Sequence, residues 1–183
     1  MLKGTKQWIF DCINAQPKTF LIIKFLAIYG SLRAIYHFIL VPNHSLMNGF
    51  LNWYATIVAT IGHDKLGYPI ESIPLERGIG LWFGEYLMLV VDATCSAGVI
   101  YILFISLLFL FRNFYWRVIP FLLTGLVGIF AINTIRIGVV TYVLKYHTVY
   151  FDFFHNYLFL YIIYLFVFYV WYKWYKVYNS MVT

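Results

Sequence analysis

The stretch RVIPFLLTGLVGIFAINTIRIGVVTYVLKY, residues 117–146, decides the fold class. Between Arg117 and Arg136 it carries no charged side chain, and the two arginines are 19 residues apart. At about 1.5 Å of rise per helical residue that gap is roughly 29 Å. A bilayer's hydrocarbon core is about 30 Å thick. Pro120 suits the first turn of a helix, where its missing N–H leaves no bond unmade. The segment therefore has the dimensions of a membrane span.

Composition agrees. Of 183 residues, 63% are hydrophobic, 22% aromatic and only 11% charged, with a mean hydropathy of +0.80. A soluble domain carries about 25% charged residues. So few charges cannot solvate a surface of this size, which excludes an ordinary soluble enzyme, a disordered chain and a nucleic-acid binder. The net charge of +6 includes no clustered basic patch of the kind that binds nucleic acid. The two cysteines, Cys12 and Cys95, cannot form a disulfide framework. Met1 to Lys18 contains Lys3, Lys6, Asp11 and Lys18 without an apolar core of signal-peptide length.

Other segments follow the same logic. Thr19 to Val41 is a first span, interrupted by Lys24, Arg33 and His37 and stopped by Pro42 and Asn43. Lys24 can snorkel to the interface, whereas the deeper Arg33 needs a partner. Ser45 to Ile61, with Asn48, Asn52, Trp53 and Thr56, reads either as a short span or as an interfacial amphipathic helix. The interfacial reading gives the consistent topology. Residues 62–91 hold Gly67, Pro69, Pro74, Gly78, Gly80 and Gly84 between short extended runs. They form an external loop with two or three short strands. Two further helices run from about Cys95 to Phe111 and from about Asn156 to Trp171.

The expected fold is an all-α polytopic membrane protein forming one domain over residues 1–183. It has four to five transmembrane or interfacial helices and a short external β-hairpin or loop ahead of the Cys95 helix. Basic residues set the orientation. Lys3, Lys6 and Lys18, the Arg112–Arg117 loop and the Lys173–Lys176 tail are cytoplasmic, and the 62–91 loop lies outside.

The scarce charges also serve as depth markers. Cys95 is 17 residues from Arg112, Arg136 is 19 from Arg117, and His155 is 18 from Lys173. Each distance is about 26–29 Å of helix. A thiol, a guanidinium and an imidazole thus share one level near the outer face, on three helices. That set suits cysteine nucleophilic catalysis. A helix N-terminus or a nearby cation favours the thiolate, and Asp92 or Thr94 is a candidate cap ahead of Cys95. An unpaired Asp92 works against the thiolate. His155 is the candidate acid/base, with His147 as its rival. Arg136 is the candidate oxyanion donor, and Asn133, three residues earlier, can orient it. Taken singly, each residue has an ordinary structural reading: a packing cysteine, a snorkelling arginine, an interfacial histidine. Their shared level is the functional signal.

These residues resemble the exosortase/archaeosortase family. The likeness rests on Gly67-Tyr68-Pro69-Ile70, Leu87 to Val91, Ala93-Thr94-Cys95-Ser96, the Asn-x-x-Arg pattern Asn133-Thr134-Ile135-Arg136, and Phe154-His155-Asn156. It covers roughly Tyr54 to Trp171 and is similar to compact Bacteroidetes-type forms. The family pattern has Gly directly after Cys-Ser, whereas this chain has Ala97, with Gly98 one place later. The resemblance implies a multi-pass protein of the bacterial cytoplasmic membrane with a Cys95–Arg136–His155 site facing the periplasm, supported by Asn133, Ser96 and Asp92. It implies a transpeptidase for membrane-anchored proteins with C-terminal sorting signals of the PEP-CTERM type, a lipid or polysaccharide acceptor, and no cofactor, metal or nucleic acid. Two other readings remain open. One is a membrane acyltransferase carrying its chain on Cys95. The other is a non-enzymatic subunit of an export or polysaccharide-assembly complex.

Overall fold

The computed structural model describes residues 17–66, 69–110 and 116–182. Lys3, Lys6, Cys12, Gly67, Tyr68 and Arg112 lie outside them. The described chain is mostly helical. Helix α1 (Pro17–Ile35) runs into a π-helical turn, Tyr36–Leu40. Helix α2 (His44–Leu66) leads to strands β1 (Ile70–Pro74), β2 (Ile79–Phe83) and β3 (Tyr86–Val91). A 3₁₀ turn, Ala93–Ser96, precedes α3 (Gly98–Leu108) and α4 (Val118–Tyr146). A 3₁₀ turn (Thr148–Tyr150) and a π-helical turn (Phe153–Leu158) then lead into α5 (Phe159–Val182).

Three helical stretches, Thr19–Leu40, Val118–Tyr146 and Thr148–Met181, are long and apolar enough to cross a membrane. The Cys95 helix is shorter than its sequence suggests. Its regular part has 11 residues, about 16 Å. Its ends are tied instead to longer neighbours. Tyr36 of the π turn bonds Ser96 at one end (2.8 Å). At the other, Lys24 Nζ donates to the Leu110 carbonyl (2.8 Å) and Trp171 Nε1 to Leu107 (3.2 Å). These two donors satisfy carbonyls that a helix C-terminus leaves open.

Helix α2 is longer than Ser45–Ile61 and buries one face. Asn43 caps it by accepting from the Leu46 N–H (3.2 Å). Met47, Leu51, Tyr54, Ala55, Val58 and Ala59 are buried, a 3–4 spacing that forms one stripe. That stripe packs against the sheet and α4. The Gly/Pro-rich stretch forms a three-stranded antiparallel sheet in the order β1-β2-β3, one strand more than a hairpin. Asn48 of α2 clamps the β1–β2 turn: its Oδ1 accepts from the Gly78 N–H (2.9 Å) and its Nδ2 donates to Leu75 (3.1 Å). Phe83 pairs with Tyr86 across a two-residue turn. Gly84 there has φ 59°, the positive value that tight hairpin turns reserve for glycine.

Two apolar cores result. One joins α2, the sheet, Cys95 and Ile137. The other joins α3, α4 and α5 around Phe104, Ile129, Ile163, Val167 and Trp174. Within the second, the rings of Phe104 and Phe166 lie against the backbone of Gly125 and Gly128, where no Cβ fits. Gly125→Ala should therefore cost about 1–3 kcal/mol through overpacking. Phe104→Leu in the same chain should restore part of that loss. Unfolding in detergent measures both; an unchanged Gly125→Ala variant would mean the ring does not sit there.

Candidate active site

Sheet, turn and helix deliver Cys95 in sequence. Strand β3 ends at Val91, which is fully buried. Asp92 then caps the 3₁₀ turn: its Oδ1 accepts from the Thr94 N–H (2.8 Å), the Thr94 hydroxyl (2.6 Å) and the Cys95 N–H (3.3 Å). Of the two candidate caps, Asp92 is the one that acts. Helix α3 does not begin at Cys95, as its position suggested, but at Gly98. Between turn and helix, Ala97 takes a left-handed conformation with φ 55°, the geometry that glycine adopts without strain.

Asn133 is fully buried, and its Nδ2 donates to the Cys95 carbonyl (2.7 Å). Its Oδ1 accepts from Arg136 at 3.5 Å. The other arm of the guanidinium donates to the His155 carbonyl (3.3 Å). A path therefore runs Cys95–Asn133–Arg136–His155 across the 3₁₀ turn, α4 and the π turn before α5. The His155 ring stacks on Phe151, with centroids 5.0 Å apart. Thiol and imidazole both lie within electrostatic reach of the same two charges, Asp92 and Arg136. The rival, His147, lies exposed between Tyr142 and Tyr150.

Ser96 has a structural place. Its hydroxyl donates to Ala93 O (2.7 Å) and accepts from the Gly98 N–H (3.1 Å), closing the turn on itself. Three tyrosines that the sequence did not single out surround it. Tyr36 donates to Ala93 O (3.2 Å) and meets the Ser96 hydroxyl. Tyr54 donates to Ser96 O (3.3 Å) and meets Tyr101 (3.0 Å). Gly98 admits Tyr36, because a Cβ there would stand 2.5 Å from its ring.

Cys95 is 6% exposed and lies outside the three membrane-length helices. Burial pushes its thiol above the usual range. Hydrogen bonding from the Asp92 main chain opposes that rise, and the Asp92 charge adds to it. The Arg136 charge and the Thr94 hydroxyl also oppose it. At neutral pH the group is therefore a thiol rather than a thiolate. Among the described residues, no group of three or more His, Cys, Asp or Glu could hold a metal ion. Compared with protein-family models, curated proteins and solved structures, the chain matches none.

Two predictions follow from this geometry. With Cys12 replaced by Ser, alkylation of Cys95 should rise with pH around a midpoint above that of a free thiol measured alongside it. Asp92→Asn should lower that midpoint and Arg136→Gln should raise it; identical midpoints in all three would remove both charges from the site. For Ala97→Gly, relief of about 1 kcal/mol of left-handed strain offsets about 0.8 kcal/mol for the lost buried methyl, so stability should hardly change. Ala97→Val, β-branched at a positive φ, should lose more than about 2 kcal/mol by the same unfolding measurement.

Proposed function

We propose that the chain is a membrane-embedded cysteine peptidase or transpeptidase of the exosortase/archaeosortase kind. The observation that carries this reading is the hydrogen-bonded path from Cys95 through Asn133 and Arg136 to His155. The bonds end on the main-chain carbonyls of Cys95 and His155, from 38 and 19 positions away in sequence, and so gather into one region the residues whose thiol, guanidinium and imidazole cysteine acyl transfer uses.

The membrane placement is part of the proposal. Three helices have spanning length. Their exposed faces are apolar, with Ile22, Ile23, Leu26, Val127 and Leu165 all at least 58% exposed. Such a continuous apolar surface needs a lipid or protein cover. Arg117 and Lys173 lie at the cytoplasmic end, and the sheet and α2 lie over the outer end. Helix α3, with its flanking turns, carries the chain from the Tyr36 level to the Lys24 level of α1.

In the reaction, His155 takes the Cys95 proton and the thiolate attacks the substrate carbonyl. Arg136 donates to the oxyanion of the tetrahedral intermediate. The C–N bond breaks as His155 returns the proton to the leaving amine, leaving a thioester on Cys95. Water or an acceptor nucleophile then attacks the thioester and frees the thiol. The substrates are exported proteins anchored by a C-terminal apolar segment. An apolar recess of about 340 Å³ beside the Cys turn, lined by Tyr36, Leu40, Phe50, Ser96, Gly98 and Tyr101, suits approach from the bilayer.

The test co-expresses a tagged protein ending in a sorting motif, an apolar span and a basic tail. Cys95→Ala should abolish processing, and Arg136→Gln or His155→Ala should reduce it at least 100-fold. Normal processing by Cys95→Ala overturns the mechanism. Mass spectrometry of the trapped Cys95 adduct separates a peptidyl thioester from an acyl chain.

A further inference from the structure

The strand order leaves the sheet with two edges, β1 and β3. The β1 edge is guarded. It carries Glu71 and Pro74 and packs against α2, and a charge and a proline both discourage pairing with a further strand. Strand β3, Tyr86-Leu87-Met88-Leu89-Val90-Val91, has neither. It is also the strand that runs straight into the Cys95 turn.

The register shows which main-chain groups β3 leaves open. Phe83 and Tyr86 flank a two-residue turn and so exchange hydrogen bonds with each other. Bonded and non-bonded pairs then alternate along the ladder. Leu81 with Leu89 and Ile79 with Val91 are bonded pairs, whereas Trp82 with Leu87 and Gly80 with Val90 are not. The Val91 carbonyl agrees, since it closes on Gly78, beside Ile79. The N–H and C=O of Leu87 and Val90 therefore point away from β2. Met88 is the extra residue of a bulge, so the regular part of the open edge is its last part. There the chain stays extended through Asp92, at φ −114° and ψ −170°, and the Asp92 N–H continues the alternation from Val90. Among the described residues, nothing pairs with the N–H of Val90 or Asp92 or with the Val90 carbonyl. Val90 and Asp92 are half-buried and Thr94 is exposed, so a guest can reach the strip.

Donor, acceptor and donor at strand spacing match one kind of guest. An extended peptide presents carbonyl, N–H and carbonyl in that order. An acyl chain presents none of them.

We propose that an extended stretch of the substrate polypeptide docks along Val90 and Asp92 as a further strand of the sheet. This docking rests on the peptidase reading above for the identity of the guest. On the membrane placement given there, the substrate enters the bilayer with its C-terminal apolar segment, so its chain runs toward the membrane as β3 does. The added strand is therefore parallel to β3, and the stretch ahead of the scissile bond lies on the sheet. Extended chain to Asp92 and then the 3₁₀ turn separate Val90 from Cys95. That path is roughly 13 Å, about four residues of an extended guest. The same strand that builds the Cys turn thus sets the direction and depth at which a substrate meets it.

The test uses the full chain with Cys12→Ser in lipid nanodiscs and the peptide reagent acetyl-Thr-Val-Thr-Val chloromethyl ketone. Its residues favour extended backbone, and it alkylates a thiol whether or not the chain is a peptidase. It should label Cys95 at least about tenfold faster than chloroacetone, the same electrophile without the peptide. N-methylation of its amides one at a time should abolish that gain at one position and spare the neighbouring amides, because alternate N–H groups of a strand face away from its partner. Val90→Pro removes a donor that faces away from β2, so the ladder survives, and the gain should fall several-fold. A peptide no faster than chloroacetone, or methylation with equal effect at every position, overturns the proposal. So does a Leu87→Cys variant that cross-links quantitatively into dimers, which would give the edge to a second copy of the chain. The methyl scan uses an unaltered β3 and decides the matter even where Val90→Pro does not fold. Failure of the peptidase reading shows differently: Cys95→Ala would process the tagged substrate normally while the peptide reagent still followed the alternating pattern.

Discussion

The bond from Asn133 Nδ2 to the carbonyl of Cys95 (2.7 Å) is the contact on which the site's arrangement depends. Asn133 is fully buried, and water cannot take over either partner's bond. Such a bond contributes only about 1 kcal/mol when made, but leaving its buried partner unsatisfied costs about 1–3 kcal/mol. That asymmetry favours one position of α4 against the Cys turn. It also ties the two cores together: Cys95 packs in the one with α2 and the sheet, and Ala97 in the one with α3, α4 and α5. Because the amide's other end meets Arg136, the contact that sets the backbone also orients the charge.

Burial gives this arrangement an internal tension. The packing that fixes Cys95 also disfavours its thiolate, and the Asp92 carboxylate that caps the turn adds to the effect. Arg136 and the Thr94 hydroxyl act in the other direction. The same carboxylate gathers three donors, two of them main-chain groups at the start of the turn, so the cap that builds the turn is also a charge against the thiolate. A neutral thiol is the outcome.

Much of this was legible in the sequence, and physical reasons mark where legibility ends. Helix α4 was plain because an uncharged run between Arg117 and Arg136 has few other solutions. Counting residues between basic side chains pointed to one level for Cys95, Arg136 and His155, since each charge in so apolar a chain is a ruler mark; the bonds that link their segments run through Asn133 and main-chain carbonyls, which counting does not show. A cap ahead of Cys95 was readable as Asp92 or Thr94; which of the two acts is set by the turn's geometry. The tyrosines were not: among 17 in the chain, nothing local separates Tyr36, Tyr54 and Tyr101 from those facing outward, because their role depends on helices folding over the Cys turn. The shortness of α3 was hidden as well. Periodicity shows that a run is apolar, while the left-handed break at Ala97 that starts the helix late is a tertiary choice. The β1 strand, with Glu71 and Pro74, reads poorly as a strand because it is an edge, where proline is tolerated.

The linear order of the four linked residues has a consequence for biogenesis. Cys95 leaves the ribosome first, its carbonyl partner 38 residues later, and the histidine 19 residues after the arginine. Until α4 and the start of α5 have emerged, the Cys95 carbonyl lacks its Asn133 amide and Arg136 lacks the His155 carbonyl. The Cys turn then has only its local ties, the Asp92 cap and the Ser96 hydroxyl bonds. The spacing makes the final setting of the turn a late event: the cap is local in sequence, and the bond that fixes it against α4 arrives with the last third of the chain.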